Sequence, residues 1–228
     1  MKVLIAIPSC HSLRGNEDSV RNTWIKDIPK GVDYKFFLGN PNVPVSADEV
    51  CLDVGDGFND ITQKVKRIFG WAHDHGYDFV FKCDLDTLVV PALLMKSDFE
   101  KYDYSGGRFG GREFASGGGG YWLSRKAMGI VIHSSLEDDP WEDLNIARVL
   151  LARGIEVHDN PHHKFIPGER LDRETIAMHL SSTKGWDAKA TPEDMYRAYR
   201  SIPAEVAPVE NYMRSTNKIL ERKVKRPR

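Results

Sequence analysis

The sequence has few cysteines, and they do not form a structural pattern. Cys10, Cys51 and Cys83 are the only three in 228 residues, they lie far apart, and no C-x-x-C pair occurs. An odd number of separated cysteines argues against a disulfide framework and against a cysteine-based zinc site. We therefore expect a protein of a reducing compartment.

Long apolar runs are also missing. The first ten residues, MKVLIAIPSC, carry one Lys and a short apolar run and then turn polar. The run is too short to span a membrane, and it lacks the layout of a signal peptide. It fits a first buried strand, and we expect a cytoplasmic location.

The chain also lacks a strong net charge, since its formal charge is −1 at pH 7. No overall field therefore favours nucleic acid as a partner. The charge is uneven, however, because residues 213–228 carry seven Lys or Arg and one Glu. A solvated tail and a tail that touches anionic lipid both fit this composition, so a peripheral membrane contact stays open.

The apolar pattern predicts an α/β domain with a mostly parallel sheet. Short apolar runs alternate with segments of helical period, which is typical of such sheets. We expect strands at 2–7, 33–39, 50–54, 77–90, 121–124, 155–160 and from 176 onward. We expect helices at 18–25, 56–76, 138–154 and 192–201.

No repeat or clear linker divides the chain. The economical prediction is one domain over residues 1–190, followed by a helical C-terminal extension over 191–228 that ends in the basic tail.

Acidic residues follow an apolar strand in the stretch FKCDLDTLVV, residues 81–90. Carboxylates are seldom buried without a partner. Because alternate residues of an extended chain point the same way, Asp84 and Asp86 can face one site. Ligands of open α/β sheets bind beyond the carboxyl ends of the strands, and two hard oxygen ligands suit Mn²⁺ or Mg²⁺.

Two further groups extend this hypothesis. In HLSSTKGW, residues 179–186, His179 can supply a third metal ligand and Lys184 can neutralise phosphate. In WEDLN, Glu142 and Asp143 begin a helix, where acids usually only complement the helix dipole. The functional alternative makes one of them a general base.

A glycine run lies between these groups. Gly117–Gly120 is framed by aromatic residues, which favours close approach of backbone to a ligand over a flexible linker, with Gly118 and Gly119 as the contact positions.

Six blocks of sequence, in order along the chain, resemble the β-1,3-galactosyltransferase and Fringe family of sugar-nucleotide-dependent glycosyltransferases. These blocks are SVRNTW (19–24), FFLG (36–39), DGFNDITQK (56–64), KCDLDTLV (82–89), SGGGGYWLS (116–124) and EDLNIARVLLARGI (142–155).

The resemblance implies a single GT-A-type, Rossmann-like domain. By it, Asp84, Asp86 and His179 would hold Mn²⁺, or Mg²⁺, against the diphosphate of a UDP-sugar, with Asp86 the firmer ligand. Asp143 would be the base for an inverting, β-forming transfer to a hydroxyl of a glycan acceptor. The candidates for binding the nucleotide and sugar of the donor are Arg21, Asp56, Lys64, Asp84, Gly118, Gly119 and Lys184.

The sequence also departs from the family pattern. Leu85 replaces its middle acid and Ala147 replaces a glycine. The membrane anchor and lumenal cysteines of animal members are absent, which implies a compact cytosolic relative of microbial or viral type. HLSSTKGW also resembles the H-x-x-G-x-x-K-P-W signature of retaining enzymes of the glycogenin type, so retention stays an alternative.

Three other functions compete. A nucleotidyltransferase also uses D-x-D and a metal, but PSCHSLRG is a poor phosphate loop. A non-catalytic sugar-binding module would use Tyr121, Trp122 and Trp141 as stacking platforms. A nucleic-acid protein would rely on the basic tail.

Overall fold

A computed structural model of the chain describes residues 1–40, 45–204 and 206. The strands, in chain order, are β1 (Val3–Pro8), β2 (Val32–Leu38), β3 (Glu49–Cys51), β4 (Phe79–Lys82), β5 (Thr87–Val89), β6 (Tyr104–Gly106), β7 (Tyr121–Ser124), β8 (His158–Asp159), β9 (His163–Lys164) and β10 (Ala177–His179). Seven of them form a mixed sheet in the order β3–β2–β1–β4–β7–β6–β8, in which only β7 runs against the others. The other three form a small sheet in the order β5–β10–β9.

Helices cover both faces of the large sheet. They are α1 (Glu17–Arg21), α2 (Ile61–Asp74), α3 (Pro91–Leu94), α4 (Arg125–Ile132), α5 (Glu142–Leu151), α6 (Leu180–Lys184) and α7 (Pro192–Arg200). Helices α2, α4 and α5 pack on one another over one face. The opposite face is covered by α1, α3, α7 and the small sheet. The predicted α/β class, with a mixed and mostly parallel sheet between helices, is confirmed.

Strand β1 lies at the centre of this arrangement. Its side chains alternate between the two faces, so that Val3, Ile5 and Ile7 join one apolar cluster while Leu4 and Ala6 join the other. Every residue of the strand is buried. This explains why its sequence is a continuous apolar run without the polar alternation of a half-exposed strand.

The two longest helices follow the predicted apolar periods. Helix α2 buries Val65, Ile68, Phe69 and Ala72, which recur every three or four residues. Just beyond its end, Gly76 adopts a φ of 76°, the left-handed conformation that glycine tolerates best. Helix α5 ends in the same way before a glycine.

The prediction of one strand over residues 77–90 is wrong. The chain leaves the large sheet after Lys82 and joins the small sheet at Thr87, so β4 and β5 belong to different sheets. The backbone N–H of Thr87 donates to the carbonyl of Asp84 at 3.1 Å and closes a turn between the strands. The two acids therefore lie in a turn between two sheets.

Several other boundaries differ from the prediction. The helix expected at 18–25 is α1 followed by a 3₁₀ turn over Trp24–Asp27, and the strand expected at 155–160 is reduced to β8. A strand followed by a loop was expected from residue 176, but α6 follows β10 directly. Helix α4 and strands β6 and β9 carry too short an apolar pattern to have been predicted.

Helix α7 begins at Pro192, close to the predicted start of the C-terminal extension at residue 191, and packs against α1. Its Met195 is buried in the core, and Tyr199 donates a hydrogen bond to Asp27 at 2.9 Å. The boundary at residue 190 stays a prediction, and the basic tail over 213–228 lies outside the described residues. None of the helices described here has both the length and the apolar character needed to cross a membrane.

Candidate active site

The turn after β4 places the D-x-D acids where β1 and β4, two adjacent parallel strands, end at their carboxyl sides. A second segment reaches the same edge, because the backbone N–H of Leu180 donates to the carbonyl of Asp86 at 3.1 Å. This bond holds the start of α6, and His179 before it, beside the turn. Residues more than ninety positions apart thus meet at the edge where α/β sheets bind ligands.

Asp84, Asp86 and His179 form a cluster in which one ligand atom of each lies within 4.8 Å of the others. His179 Nε2 is 3.0 Å from Asp86 Oδ1 and 3.9 Å from Asp84 Oδ2. Burial by itself would raise the pKa of the Asp86 carboxyl, but hydrogen bonds from His179 and Ser181 outweigh it and lower that pKa. The structure thus brings together the three residues that the sequence analysis grouped as candidate metal ligands.

The surroundings of the cluster fit a divalent cation. His179 Nδ1 lies 2.6 Å from Ser182 Oγ, which fixes the ring and leaves Nε2 directed at the carboxylates. Gly118 packs against the ring so closely that a Cβ there would lie 2.5 Å from Nδ1. Two carboxylates and one imidazole with an oriented ring are a donor set that suits Mn²⁺. The two carboxylates alone would suit Mg²⁺, which prefers oxygen ligands.

A pocket of about 530 Å³ opens beside the two acids. Its lining comes from segments within residues 8–19, 56–64, 84–86 and 180–195. The volume lies within the range of small-molecule and cofactor sites. The two acids of the cluster therefore form one part of the wall of a cavity that can hold a nucleotide-sized ligand.

Asp56 and Lys64 join three loops at the floor of this pocket. The buried Lys64 Nζ donates to Asp56 Oδ1 at 2.7 Å and to the carbonyl of Ser9 at 2.9 Å. Asp56 also accepts hydrogen bonds from the backbone N–H groups of His11 and Gly39, both at 2.7 Å. Both predicted residues line the pocket, but their charges already compensate each other.

No protein-family model matches the chain. Among solved structures, it is similar to the glycosyltransferase GlyE of Streptococcus pneumoniae TIGR4. The apo form gives a TM-score of 0.54 at 14% identity, and a second GlyE structure gives 0.56 at 13% identity. Both alignments cover 100% of this chain and 65% of GlyE. The chain has a GT-A fold.

The chain therefore spans about two thirds of the length of GlyE, at an identity that establishes the fold alone. The catalytic domain of Drosophila β1,4-galactosyltransferase 7, solved with xylobiose, is 13% identical over 89% of this chain and 80% of that domain, with a TM-score of 0.49. That score is too low to add to the argument. What this GT-A domain does must be argued from its own residues.

The two acids at the start of α5 differ in their surroundings. Glu142 is buried, with Oε1 2.5 Å from Lys82 Nζ and Oε2 accepting from the Tyr121 hydroxyl at 2.8 Å. Asp143 is only partly buried and accepts the backbone N–H of Gly117 at 2.9 Å. Burial raises the pKa of the Asp143 carboxyl, against the effect of that hydrogen bond. Of the pair, Asp143 is the acid that a substrate can reach.

The glycines at 118 and 119 of this GT-A domain pack closely against side chains of the protein itself. Gly118 packs on His179, and a Cβ at Gly119 would lie 2.8 Å from the ring of Phe165. Neither glycine contributes to the described lining of the pocket. The prediction that they contact the donor stays a prediction, and of the contacts seen here only that of Gly118 helps to position His179.

Two other predicted donor-binding residues lie away from the pocket and already bind acids. Arg21 pairs with Asp48 at 2.8 Å and with the buried Glu17 at 2.7 Å. Lys184 Nζ donates to Asp194 at 2.9 Å. Neither side chain contributes to the described pocket lining, and their contact with a donor stays a prediction.

The aromatic platforms expected of a sugar-binding module are mostly absent from the surface. Tyr121 and Trp122 are 0% and 1% exposed and pack within the core. Only Trp141, 64% exposed, is available for stacking. The suggested set of three platforms is wrong, because β7 is a central strand of the sheet.

Sequence reasoning missed two cations. Lys82 lies in a buried strand and is 1% exposed. Its apolar neighbours on both sides could have indicated a buried lysine, which needs acidic partners. Lys189 lines the pocket, and no ion pair or hydrogen bond of its ammonium group is found among the described residues. It follows the recognised HLSSTKGW block by three residues, so no motif pointed to it.

Proposed function

We propose that this protein is a metal-dependent glycosyltransferase that moves a sugar from a UDP-sugar to a hydroxyl of a glycan acceptor. The observation that carries the proposal is the Asp84–Asp86–His179 cluster at the wall of a nucleotide-sized pocket in a GT-A fold. The pocket would take the nucleoside diphosphate, and the cluster would hold Mn²⁺, or Mg²⁺, beside its phosphates. When bound, the cation would offset the negative charge that develops on the leaving diphosphate.

The acceptor would approach on the side of the metal cluster where Asp143 lies, since Asp143 is not part of the described donor-pocket lining. There its carboxylate would take the proton of the acceptor hydroxyl as that oxygen bonds to the anomeric carbon and the bond to the departing nucleoside diphosphate breaks on the opposite face. This single displacement would invert the anomeric centre and give a β linkage from an α-linked donor. The hydrogen bond from Gly117 fixes one carboxylate oxygen of Asp143. The six sequence blocks support assignment to the β-1,3-galactosyltransferase and Fringe family, with galactose as a candidate donor sugar.

We place this reaction in the cytoplasm, consistent with three cysteines that are all free. We also propose that the basic tail makes a peripheral membrane contact. Comparing the full chain with a variant that lacks residues 207–228 by co-sedimentation with anionic vesicles tests this contact.

A screen of nucleotide sugars by thermal unfolding tests the function. In Mn²⁺, a ligand at about 100 times its Kd adds about 2.7 kcal/mol to the free energy of unfolding. For a chain of this size that corresponds to a rise in Tm of roughly 5–10 °C. We expect UDP-galactose, UDP-N-acetylglucosamine or UDP-glucose to produce it with Mn²⁺ and to lose most of it in EDTA. Stabilisation by nucleoside triphosphates alone would favour the nucleotidyltransferase alternative.

Lys189 is the cation that we expect to bind the donor diphosphate. The other lysine of the described pocket lining, Lys64, is already paired with Asp56. A hydrogen bond between charged groups contributes about 1.5–3 kcal/mol. We therefore expect Lys189→Ala to weaken UDP binding by roughly 10- to 100-fold while leaving uridine binding unchanged, as measured by calorimetry.

Lys184→Ala is the matched control, because Lys184 is bound to Asp194 and lies outside the described lining. We expect it to change UDP affinity by less than about threefold. A larger loss for Lys184→Ala than for Lys189→Ala would contradict this assignment and favour Lys184 as the phosphate ligand.

A further inference from the structure

The last residue of β4, Lys82, has its charged end enclosed between the two halves of the site. Its Nζ lies 2.7 Å from Asp84 Oδ1, 2.5 Å from Glu142 Oε1 and 3.3 Å from the carbonyl oxygen of Gly117. An ammonium group has three donors, and all three are used.

The partners of Lys82 belong to different parts of the site. Asp84 is a member of the metal cluster and lines the pocket. Glu142 directly precedes Asp143 in the first turn of α5. Gly117 accepts from Lys82 through its carbonyl and donates to Asp143 through its N–H. One side chain therefore touches the metal-binding turn, the helix that carries the proposed base, and the carbonyl of the residue whose N–H binds that base.

The residues around the Lys82–Glu142 ion pair leave room for little else. A side chain at Gly117 would clash with the Glu142 carboxylate and would lie 3.2 Å from Lys82 Nζ. On the far side of Glu142, the buried Tyr121 hydroxyl binds its second oxygen. A buried ion pair is a weak source of stability compared with apolar residues of the same volume, so an additional role for it is worth testing.

We propose that Lys82 is a positioning residue that sets the distance between the metal-binding carboxylate Asp84 and the base Asp143. The inference rests on the proposed function and adds a component to it. Transfer requires the acceptor hydroxyl, the base and the anomeric carbon to be aligned, and a displacement of about 1 Å can cost roughly 100-fold in rate. Lys82 contacts Asp84 directly and reaches Asp143 through Glu142 and Gly117.

The test compares Lys82→Met with the double variant Lys82→Met/Glu142→Gln. The single variant leaves Glu142 buried without a counter-ion, so a low Tm is expected whatever Lys82 does in catalysis. The double variant removes both charges and keeps an acceptor for Tyr121. We expect its Tm to recover most of the loss, its UDP affinity in Mn²⁺ to stay within about threefold of wild type, and its KM for the UDP-sugar to change little. We expect its kcat to fall roughly 100-fold.

Both kcat and KM are measured by UDP release with the UDP-sugar that stabilises the wild-type protein most. A double variant with wild-type Tm and wild-type kcat would show that Lys82 only contributes to stability and would overturn the inference. A wild-type protein that binds no UDP in Mn²⁺ would contradict the proposed function itself, so the two failures are distinguishable.

Discussion

Replacing Asp143 with Asn is expected to lower sugar transfer by roughly 10²- to 10⁴-fold, the usual contribution of a general base. Asn has nearly the same volume and keeps one oxygen that can accept the Gly117 N–H, while the oxygen that accepts the Leu144 N–H at 2.8 Å is replaced by the amide nitrogen. It cannot take a proton from the acceptor. Because Asp143 lies outside the described lining of the donor pocket, UDP affinity in Mn²⁺ should change by less than about threefold.

The measurement is the transfer rate at saturating donor, with calorimetric titration of UDP in Mn²⁺ as a check on the donor site. Asp138→Asn is a suitable control, since this exposed acid is close in sequence and no contact of its side chain is described. We expect the control to retain transfer. If Asp143→Asn transfers sugar at a near-normal rate, Asp143 is not the base, and the retaining alternative gains support.

The pKa of Asp143 adds to its suitability as a base. A carboxylate with the ordinary pKa of an aspartate is a weak proton acceptor at neutral pH, and burial raises the pKa of Asp143 toward the working range. Its neighbour Glu142 is bound to both Lys82 and Tyr121 and cannot turn toward a substrate without breaking a buried ion pair. The sequence left the choice between these two acids to a family resemblance, and their burial now gives a physical reason for it.

Parts of the fold whose sequence signal is local could be predicted. The continuous apolar run of β1 and the apolar periods of α2 and α5 each depend on residues within a single element. The break between β4 and β5 could not, because both strands are apolar and the chain turns only where a second sheet is available to receive it. The local preferences of these residues do not indicate that a second sheet is present.

The same limit applies to the candidate site. Asp84, Asp86 and His179 were predicted as a set because strand ends converge and because their chemistry is complementary. The charges of Arg21 and Lys184 also suggested binding of a donor, but each is next to an acid that only the fold brings close. Whether a cation is available to a ligand depends on such neighbours, and sequence spacing does not reveal them.

Replacing Asp86 with Ala is expected to weaken Mn²⁺ binding by roughly 100-fold or more and to abolish metal-dependent turnover. Loss of an outer-shell partner of a metal ligand already costs about 10- to 100-fold in affinity or activity. Asp86 is bound by His179 and Ser181, and both contacts hold its carboxylate at the cluster. A Mn²⁺ titration followed by electron paramagnetic resonance measures the affinity directly.

Asp84→Ala is the informative comparison, and we expect it to cost less than about tenfold in Mn²⁺ affinity. One oxygen of Asp84 is held 2.7 Å from the Lys82 ammonium, and that positive charge opposes a second cation at the same carboxylate. No Lys or Arg is found among the described contacts of Asp86, whose partners are His179 and Ser181. Equal losses in the two variants, or a larger loss for Asp84→Ala, would contradict the ranking. A sugar-binding module would bind glycan equally well in the wild-type protein and in the Asp86→Ala variant and would show no turnover in either, whereas a transferase would show metal-dependent turnover that the variant loses.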